Sequence, residues 1–239
     1  MAEEKRTKLV IAIDGPAGAG KSTIASRLAR SLGYTNIETG AMYRALALKA
    51  ILNDVSLDDQ NALLRLARNS HIELEPKLDG NRVLLDGQNV SSRIRERDVT
   101  EAASRVSVHP PVREWMVARQ REMGQAGGVV MEGRDVGTKV FPDADVKVFL
   151  DADPEVRGER RYLQQGTPAT AVRVRPAGGS GRDTQAIVAE MRARDHRDRT
   201  RPNSPLVPAA DAVLIDSTRL SIDEVLARIK DIIASKTAG

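Results

Sequence analysis

Gly15-Pro16-Ala17-Gly18-Ala19-Gly20-Lys21-Ser22, with Thr23 behind it, fills the spacing G-x-x-x-x-G-K-[ST]. The apolar run Leu9-Val10-Ile11-Ala12-Ile13 leads straight into it and predicts a buried strand. A strand must deliver the chain to a tight turn whose glycines let backbone N–H groups face inward as an anion cradle, and a following helix adds its positive N-terminal end. The amphipathic run Ser22 to Leu32 predicts that helix, and Gly33 is placed to cap its C-terminus. Strand, loop and helix in this order separate a phosphate-binding loop from a glycine-rich turn with a stray lysine. In such a loop Lys21 reaches the β- and γ-phosphates and the Ser22 hydroxyl ligates Mg²⁺. The stretch predicts a nucleoside triphosphate site.

Outward from the loop, strand and helix patterns alternate, which predicts an α/β fold with a parallel sheet covered on both faces. An extended piece at Asn36 to Glu38 leads into Thr39-Gly40-Ala41-Met42-Tyr43-Arg44, where Met42, Leu46 and Ile51 take helical spacing. Leu57 to Arg68 reads as a helix capped by Ser56 or Asp58. The pattern then changes. His71 to Leu74 and Arg82 to Leu85, joined by the turn Asp79-Gly80-Asn81 and followed by Gln88 to Val90, predict a small antiparallel insert. Helices follow at Thr100 to Val106 and Val112 to Met123, punctuated by Pro110-Pro111. Gly128 to Met131 and Val146 to Leu150 read as buried parallel strands. Asp153 caps a helix at Pro154 to Gln164, and the aperiodic stretch Gly166 to Arg182 reads as a flap or disordered loop. A polar helix from Asp183 to Thr200, a strand at Ala212 to Ile215 and a helix from Ser221 to Ser235 complete the chain.

Composition removes several classes of function. There is no cysteine among the 239 residues, which excludes disulfides, thiolate metal sites and thiol nucleophiles and suits a reducing cytoplasm. Met1 to Lys8 is charged, Leu9 to Ile13 is too short for a signal-peptide core, and no run approaches the ~18 apolar residues of a membrane span. Net charge is only +4 and aromatics are 3% of the chain, so base-stacking platforms for nucleic acid are not expected. The arginines gather around Arg157 to Arg161 and Arg192 to Arg201, interleaved with Asp and Glu, a pattern suited to a small polyanion. Nothing demands an oligomer, and a monomer is expected.

Phosphoryl transfer asks the protein mainly for alignment and charge neutralisation. Arginine suits that work because its planar fork grips phosphate oxygens in pairs. Arg44, Arg134 and the run Arg194-Asp195-His196-Arg197-Asp198-Arg199-Thr200-Arg201 could supply such a cage. On a helix Arg194, Asp198 and Arg201 share one face, although a solvated, salt-bridged surface fits the same spacing. Glu132-Gly133-Arg134-Asp135-Val136-Gly137-Thr138 follows a strand, and ligands of open α/β sheets sit beyond strand carboxyl ends. A polar turn would also explain it. His71, His109 and His196 lack metal-ligand spacing, and Trp115 reads as core. A regulatory GTPase would want an N-K-x-D stretch, and the sequence has none.

With those motifs in view the chain resembles the bacterial cytidylate kinase family of P-loop nucleoside monophosphate kinases. The likeness rests on Ile13 to Thr23, Thr39 to Arg44 and Glu132 to Thr138, and continues through Val140-Phe141-Pro142-Asp143-Ala144, Arg194 to Arg199, Ser204-Pro205-Leu206 and Asp216-Ser217-Thr218. It spans nearly the whole chain. Thr39 to Arg44 combined with Glu132 to Thr138 is its most specific part. The resemblance implies a single three-layer domain over 1–239, with a nucleoside monophosphate subdomain inserted at about 72–98 and a lid at about 160–185.

The resemblance also implies the reaction and its residues: ATP and CMP or dCMP as substrates, with Mg²⁺, giving ADP and CDP or dCDP by direct in-line transfer. Gly15, Pro16, Ala17, Gly18, Ala19, Gly20, Lys21, Ser22 and Thr23 would hold ATP, with Arg160 approaching as the lid closes. Thr39, Arg44 and Arg134 would meet the acceptor phosphate side, Arg194 and Asp198 the ribose, and Arg201 phosphate or base. Lys21, Arg134, Arg194 and Arg201 would carry catalysis. Ser104, Arg113 and Asp135 match positions that read cytosine: an arginine and a hydroxyl suit its acceptors at O2 and N3, and a carboxylate suits its N4 amine. Uracil presents an acceptor in place of that amine, so Asp135 would reject it. A related kinase accepting UMP or AMP is the alternative. Gln165 to Arg182 is longer and more glycine-rich than the short lids of the family, which leaves Arg173, Arg175 and Arg182 without a role. Thr39 stands where some relatives have serine and keeps the hydroxyl.

Overall fold

A computed structural model of the chain describes residues 6–77, 80–165 and 181–237. The strands are β1 Val10–Asp14, β2 Thr35–Glu38, β3 Ile72–Lys77, β4 Gly80–Leu85, β5 Gln88–Asn89, β6 Val129–Gly133, β7 Val146–Asp151 and β8 Val213–Asp216. The helices are α1 Lys21–Leu32, α2 Thr39–Leu52, α3 Gln60–Arg68, α4 Arg97–Val106, α5 Pro110–Gly124, α6 Pro154–Gln165, α7 Gly181–Thr200 and α8 Ile222–Thr237. Five parallel strands form the main sheet in the order β2-β6-β1-β7-β8, and β3-β4-β5 form a separate antiparallel sheet.

Residues of β1 alternate between two cores, which is why that strand is apolar throughout. Val10 and Ala12 join a cluster with Ala41, Leu46 and Leu48 of α2 and Val112 and Met116 of α5. Ile11 and Ile13 face the other side, against Ile24 and Leu28 of α1 and Val225 and Ile229 of α8. Leu74 and Val83 carry the small sheet into the first cluster. Helices therefore cover both faces, and β1 lies at the centre, where the chain leaves to one side for β2 and to the other for β7. Strand carboxyl ends at such a reversal are where α/β proteins bind ligands. Among the described residues no helix is long and apolar enough to cross a membrane.

Several boundaries differ from the sequence reading. Helix α3 starts at Gln60, and its cap is Asp59, whose carboxylate accepts from the Asn61 and Ala62 amides at 3.0 Å. Ser56 and Asp58 stand too early to reach those amides. Pro110 and Pro111 stand at the join of two helices as expected, and α5 starts on them, two residues before Val112, where a missing N–H costs nothing. Trp115 packs against the core as a partly buried side chain with Arg119 over its ring. The flap expected at Gly166 to Arg182, with Arg173 and Arg175, lies outside the described residues as far as position 180, and Arg182 falls within α7. Asp79 of the expected turn also lies outside them.

Candidate active site

The phosphate-binding loop takes its shape from its glycines and from what lies behind it. Gly15 has φ +148°, and a Cβ there would sit 1.9 Å from the Leu150 carbonyl oxygen. Gly18 has φ +75°, and its Cβ would meet Met191 and Arg157. Only glycine lets the loop lie this close to β7 and α7. The loop opens a cleft of about 460 Å³ whose walls include Gly18 to Ile24, Arg160, Arg161, Ser217, Leu220 and Ile222. Arg160 donates to the Ser217 hydroxyl and carbonyl at 3.1 and 2.7 Å, and the Ser217 hydroxyl lies 3.3 Å from the Ala19 carbonyl, tying α6 to the loop.

Lys21 is buried at the tip of α1, donating to the Pro16 carbonyl at 2.7 Å. Burial, reinforced by Arg134, pushes its ammonium down to about 7. Glu132 lies beside it at the end of β6 and is pushed up by burial. The nearby Ser22 side chain offsets part of that rise, and Oε1 of Glu132 is buried without a hydrogen-bond partner among the described residues. A hydroxyl next to a carboxylate with an open oxygen fits a magnesium ion, which keeps most of its waters and substrate oxygens and needs few protein ligands. Among the described residues no cluster of three or more His, Asp or Glu could hold a metal by itself. Thr39 does not face outward: its hydroxyl donates to the Glu132 carbonyl at 2.8 Å.

Four elements bring the expected cations together. Arg134, just past β6, donates to Asp198 of α7 at 3.0 Å, and Arg201 reaches the other oxygen of Asp198 at 3.3 Å. Arg201 directly follows α7, its amide donating to the Arg197 carbonyl at 3.1 Å and its side chain also donating to the Ser204 carbonyl, so it meets Asp198 on the helix face expected for it. Burial, then Arg134, pushes Arg194 down to about 10. Burial opposes ionisation of Asp198, but Arg134, Arg194 and Arg201 hold it below the usual range. Arg44 pairs with Glu38 of β2. Arg44, Arg113, Arg194 and Arg201 each keep one buried guanidinium nitrogen without an acceptor among the described residues.

The three residues matched to cytosine recognition are all buried, and two of them touch each other. Arg113 and Asp135 form a buried ion pair. Arg113 also donates to the Ser107 carbonyl at 3.0 Å and stacks over Tyr43, 5.5 Å from the ring centre. Ser104 is buried one turn before Ser107 on α4.

Sequence reasoning missed several groups. Arg157 of α6 is 4% exposed and donates to the Ala17 carbonyl of the loop, the Ala152 carbonyl and Asp195 of α7, at 2.9, 2.9 and 2.6 Å. Burial and the charge of Arg44 lower Arg161, and Arg97 reaches Glu190 of α7 at 3.4 Å on the surface. In sequence these sit in charge-rich runs, which solvated helix faces also show.

Residues 11–235 match the family model described as cytidylate kinase. The chain is 48% identical to the cytidylate kinase of Solibacter usitatus (strain Ellin6076) across all of this chain and 98% of that one. It is 47% identical to the cytidylate kinase of Enterococcus faecalis (strain ATCC 700802 / V583), over 96% of this chain and 97% of the relative. A solved structure of an uncharacterized protein from Eubacterium ventriosum ATCC 27560 shares the fold at TM-score 0.51 and 12% identity, covering 95% of this chain and 99% of that one. The match to the family model runs through the phosphate-binding loop, both arginine-bearing strand ends and α7, and the relatives align from end to end. The chain belongs to the cytidylate kinase family.

Proposed function

We propose that this chain transfers the γ-phosphoryl group of ATP to CMP or dCMP, giving ADP and CDP or dCDP. The observation that carries this reading is the set of buried guanidinium nitrogens without acceptors on Arg44, Arg113, Arg194 and Arg201, with Arg134 and Arg194 acting on a buried lysine whose own charge is depressed. Cations crowded out of water are stabilised by an anion of matching shape, and two phosphate-bearing substrates meeting head to head supply one.

In this reading Gly15 to Thr23 hold the donor phosphates, and Arg160 with Leu220 and Ile222 faces the donor base. Lys21 spans donor and acceptor phosphates and neutralises charge on the transferring oxygens. Ser22 and Glu132 would hold Mg²⁺, which when bound supplies charge neutralisation on the β- and γ-phosphates. Arg44 and Arg134 grip the acceptor phosphate, so that it attacks in line and no covalent enzyme intermediate forms. Arg194, Asp198 and Arg201 align the ribose and phosphate. Ser104, Arg113 and Asp135 read the cytosine edge, and Asp135 rejects uracil. The antiparallel sheet β3-β4-β5 belongs to the acceptor side.

A coupled assay of ADP release with CMP, dCMP, UMP and AMP as acceptors tests the reading. CMP and dCMP are expected to be preferred. A clear preference for AMP would overturn the assignment of Ser104, Arg113 and Asp135, and a UMP preference would overturn that of Asp135.

A further inference from the structure

Asp14 ends β1 and directly precedes Gly15, yet its side chain serves the other half of the site. It is 5% exposed, and its two carboxylate oxygens accept separately from the backbone amides of Val136 and Gly137, at 2.8 and 2.7 Å. Those amides begin the wide turn Val136–Val140, in which the Val140 amide reaches back to the Asp135 carbonyl and the Phe141 amide to that of Val136. The first N–H groups of a helical turn have no partner inside it. Here the residue before the turn, Asp135, makes no capping hydrogen bond with its side chain, which is engaged with Arg113. The cap is supplied from a strand 122 residues away in sequence.

The geometry is specific in three ways. A carboxylate that uses both oxygens on consecutive amides fixes the position and tilt of the peptide between them. Arg134 and Asp135 come immediately before that peptide, so their backbone direction is set by it. The turn also packs directly on this carboxylate: a Cβ on Gly137 would lie in van der Waals contact with Oδ2 of Asp14, at 3.4 Å, and slightly tight against the Lys147 side chain, at 3.3 Å. The Asp14 side chain thus joins the start of the phosphate-binding loop to the loop bearing Arg134 and Asp135.

We propose that Asp14 is a positioning residue for the acceptor nucleotide, holding the 134–137 loop in register with the phosphate-binding loop while touching neither substrate. The inference rests on the assignment of Arg134 and Asp135 to the acceptor given above. It follows that loosening this carboxylate harms acceptor alignment and base discrimination while leaving ATP binding intact.

The test compares Asp14→Asn and Gly137→Ala with the parent enzyme. Asparagine keeps the shape but turns an amino group toward one amide. Alanine at position 137 keeps every charge and places a methyl between Oδ2 of Asp14 and the Lys147 side chain, and it serves where the first variant fails to fold. The kcat/KM for CMP is expected to fall about 10- to 100-fold, the loss appropriate to a hydrogen bond to a charged group. The preference for CMP over UMP should narrow, and the Kd for ATP by calorimetry should stay within about 2-fold. In Asp14→Asn the Val136 and Gly137 amide resonances should lose their downfield positions. ATP affinity falling in step with CMP turnover would overturn the proposal, since a merely structural residue disturbs both sites. An intact CMP preference in both variants, where Asp135→Ala abolishes it, would overturn it equally. If Asp135→Ala itself leaves the preference unchanged, the base-reading assignment fails instead, and Asp14 is judged on CMP kinetics against ATP affinity alone.

Discussion

Asp135→Ala separates recognition from stability, because the same carboxylate serves both. Asp135 and Arg113 are 6% and 4% exposed and pair with each other. Removing one partner of such a pair leaves a charge out of water without compensation, a loss of about 3–5 kcal/mol. For a chain of this size that lowers the melting midpoint by about 6–20 °C. Recognition should suffer on its own account. A hydrogen bond from the cytosine amine to a carboxylate contributes about 1.5–3 kcal/mol, so the preference for CMP over UMP should drop about 10- to 150-fold. The double variant Arg113→Met/Asp135→Leu makes the distinction sharp: it replaces the pair with apolar groups and should regain most of the stability while recovering none of the preference. Thermal unfolding with kcat/KM on CMP and UMP measures both. An alanine variant that melts with the parent and discriminates as well as the parent would refute the reasoning at each step.

Lys21→Met should cut kcat about 10²- to 10³-fold with an unchanged circular dichroism spectrum, the loss typical of one transition-state cation. Because the buried Lys21 ammonium is depressed to about 7, it is mostly neutral in the free enzyme at pH 8, and the triphosphate should restore its proton. Calorimetry in buffers of different ionisation heat should show proton uptake on ATP binding that disappears in Lys21→Met. Gly15→Ala should cost more than about 3 kcal/mol, combining left-handed backbone strain with a Cβ 1.9 Å from the Leu150 carbonyl; a denaturant midpoint near the parent's would contradict this. Asp195→Ala leaves buried Arg157 unpaired and should cost about 3–5 kcal/mol. It should also raise the KM for ATP more than that for CMP, since Arg157 holds the Ala17 carbonyl.

The fold was legible wherever chemistry is local. Gly15 to Ser22 behind an apolar strand, Gly33 at a helix end and the alternation around Gly80-Asn81 each predict their own geometry, and the parallel core follows from them. Cap assignment failed at Asp59 because Ser56, Asp58 and Asp59 are all competent caps, and only the direction of the incoming chain chooses among them. In the site, Arg44, Arg134, Arg194 and Asp198 were legible through motif and face. Arg157 and Asp195 were not, because a buried ion pair and a solvated one look alike until the helices carrying them are packed. Asp14 falls within the Ile13 to Thr23 motif, and its carboxylate at a strand end beside a phosphate loop is the available signal. Its partners are two backbone amides more than 120 residues away, which no residue pattern announces.

Convergence of Arg134, just past β6, and the guanidiniums of α2 and α7 on Lys21 would set donor and acceptor nucleotides head to head in one cleft. An analogue joining adenosine and cytidine through five phosphates tests this in a single displacement titration. The account predicts one molecule bound per chain, displaced by ATP and by CMP alike, and held more tightly than either. Displacement by ATP alone, with CMP still binding to the occupied enzyme, would contradict it.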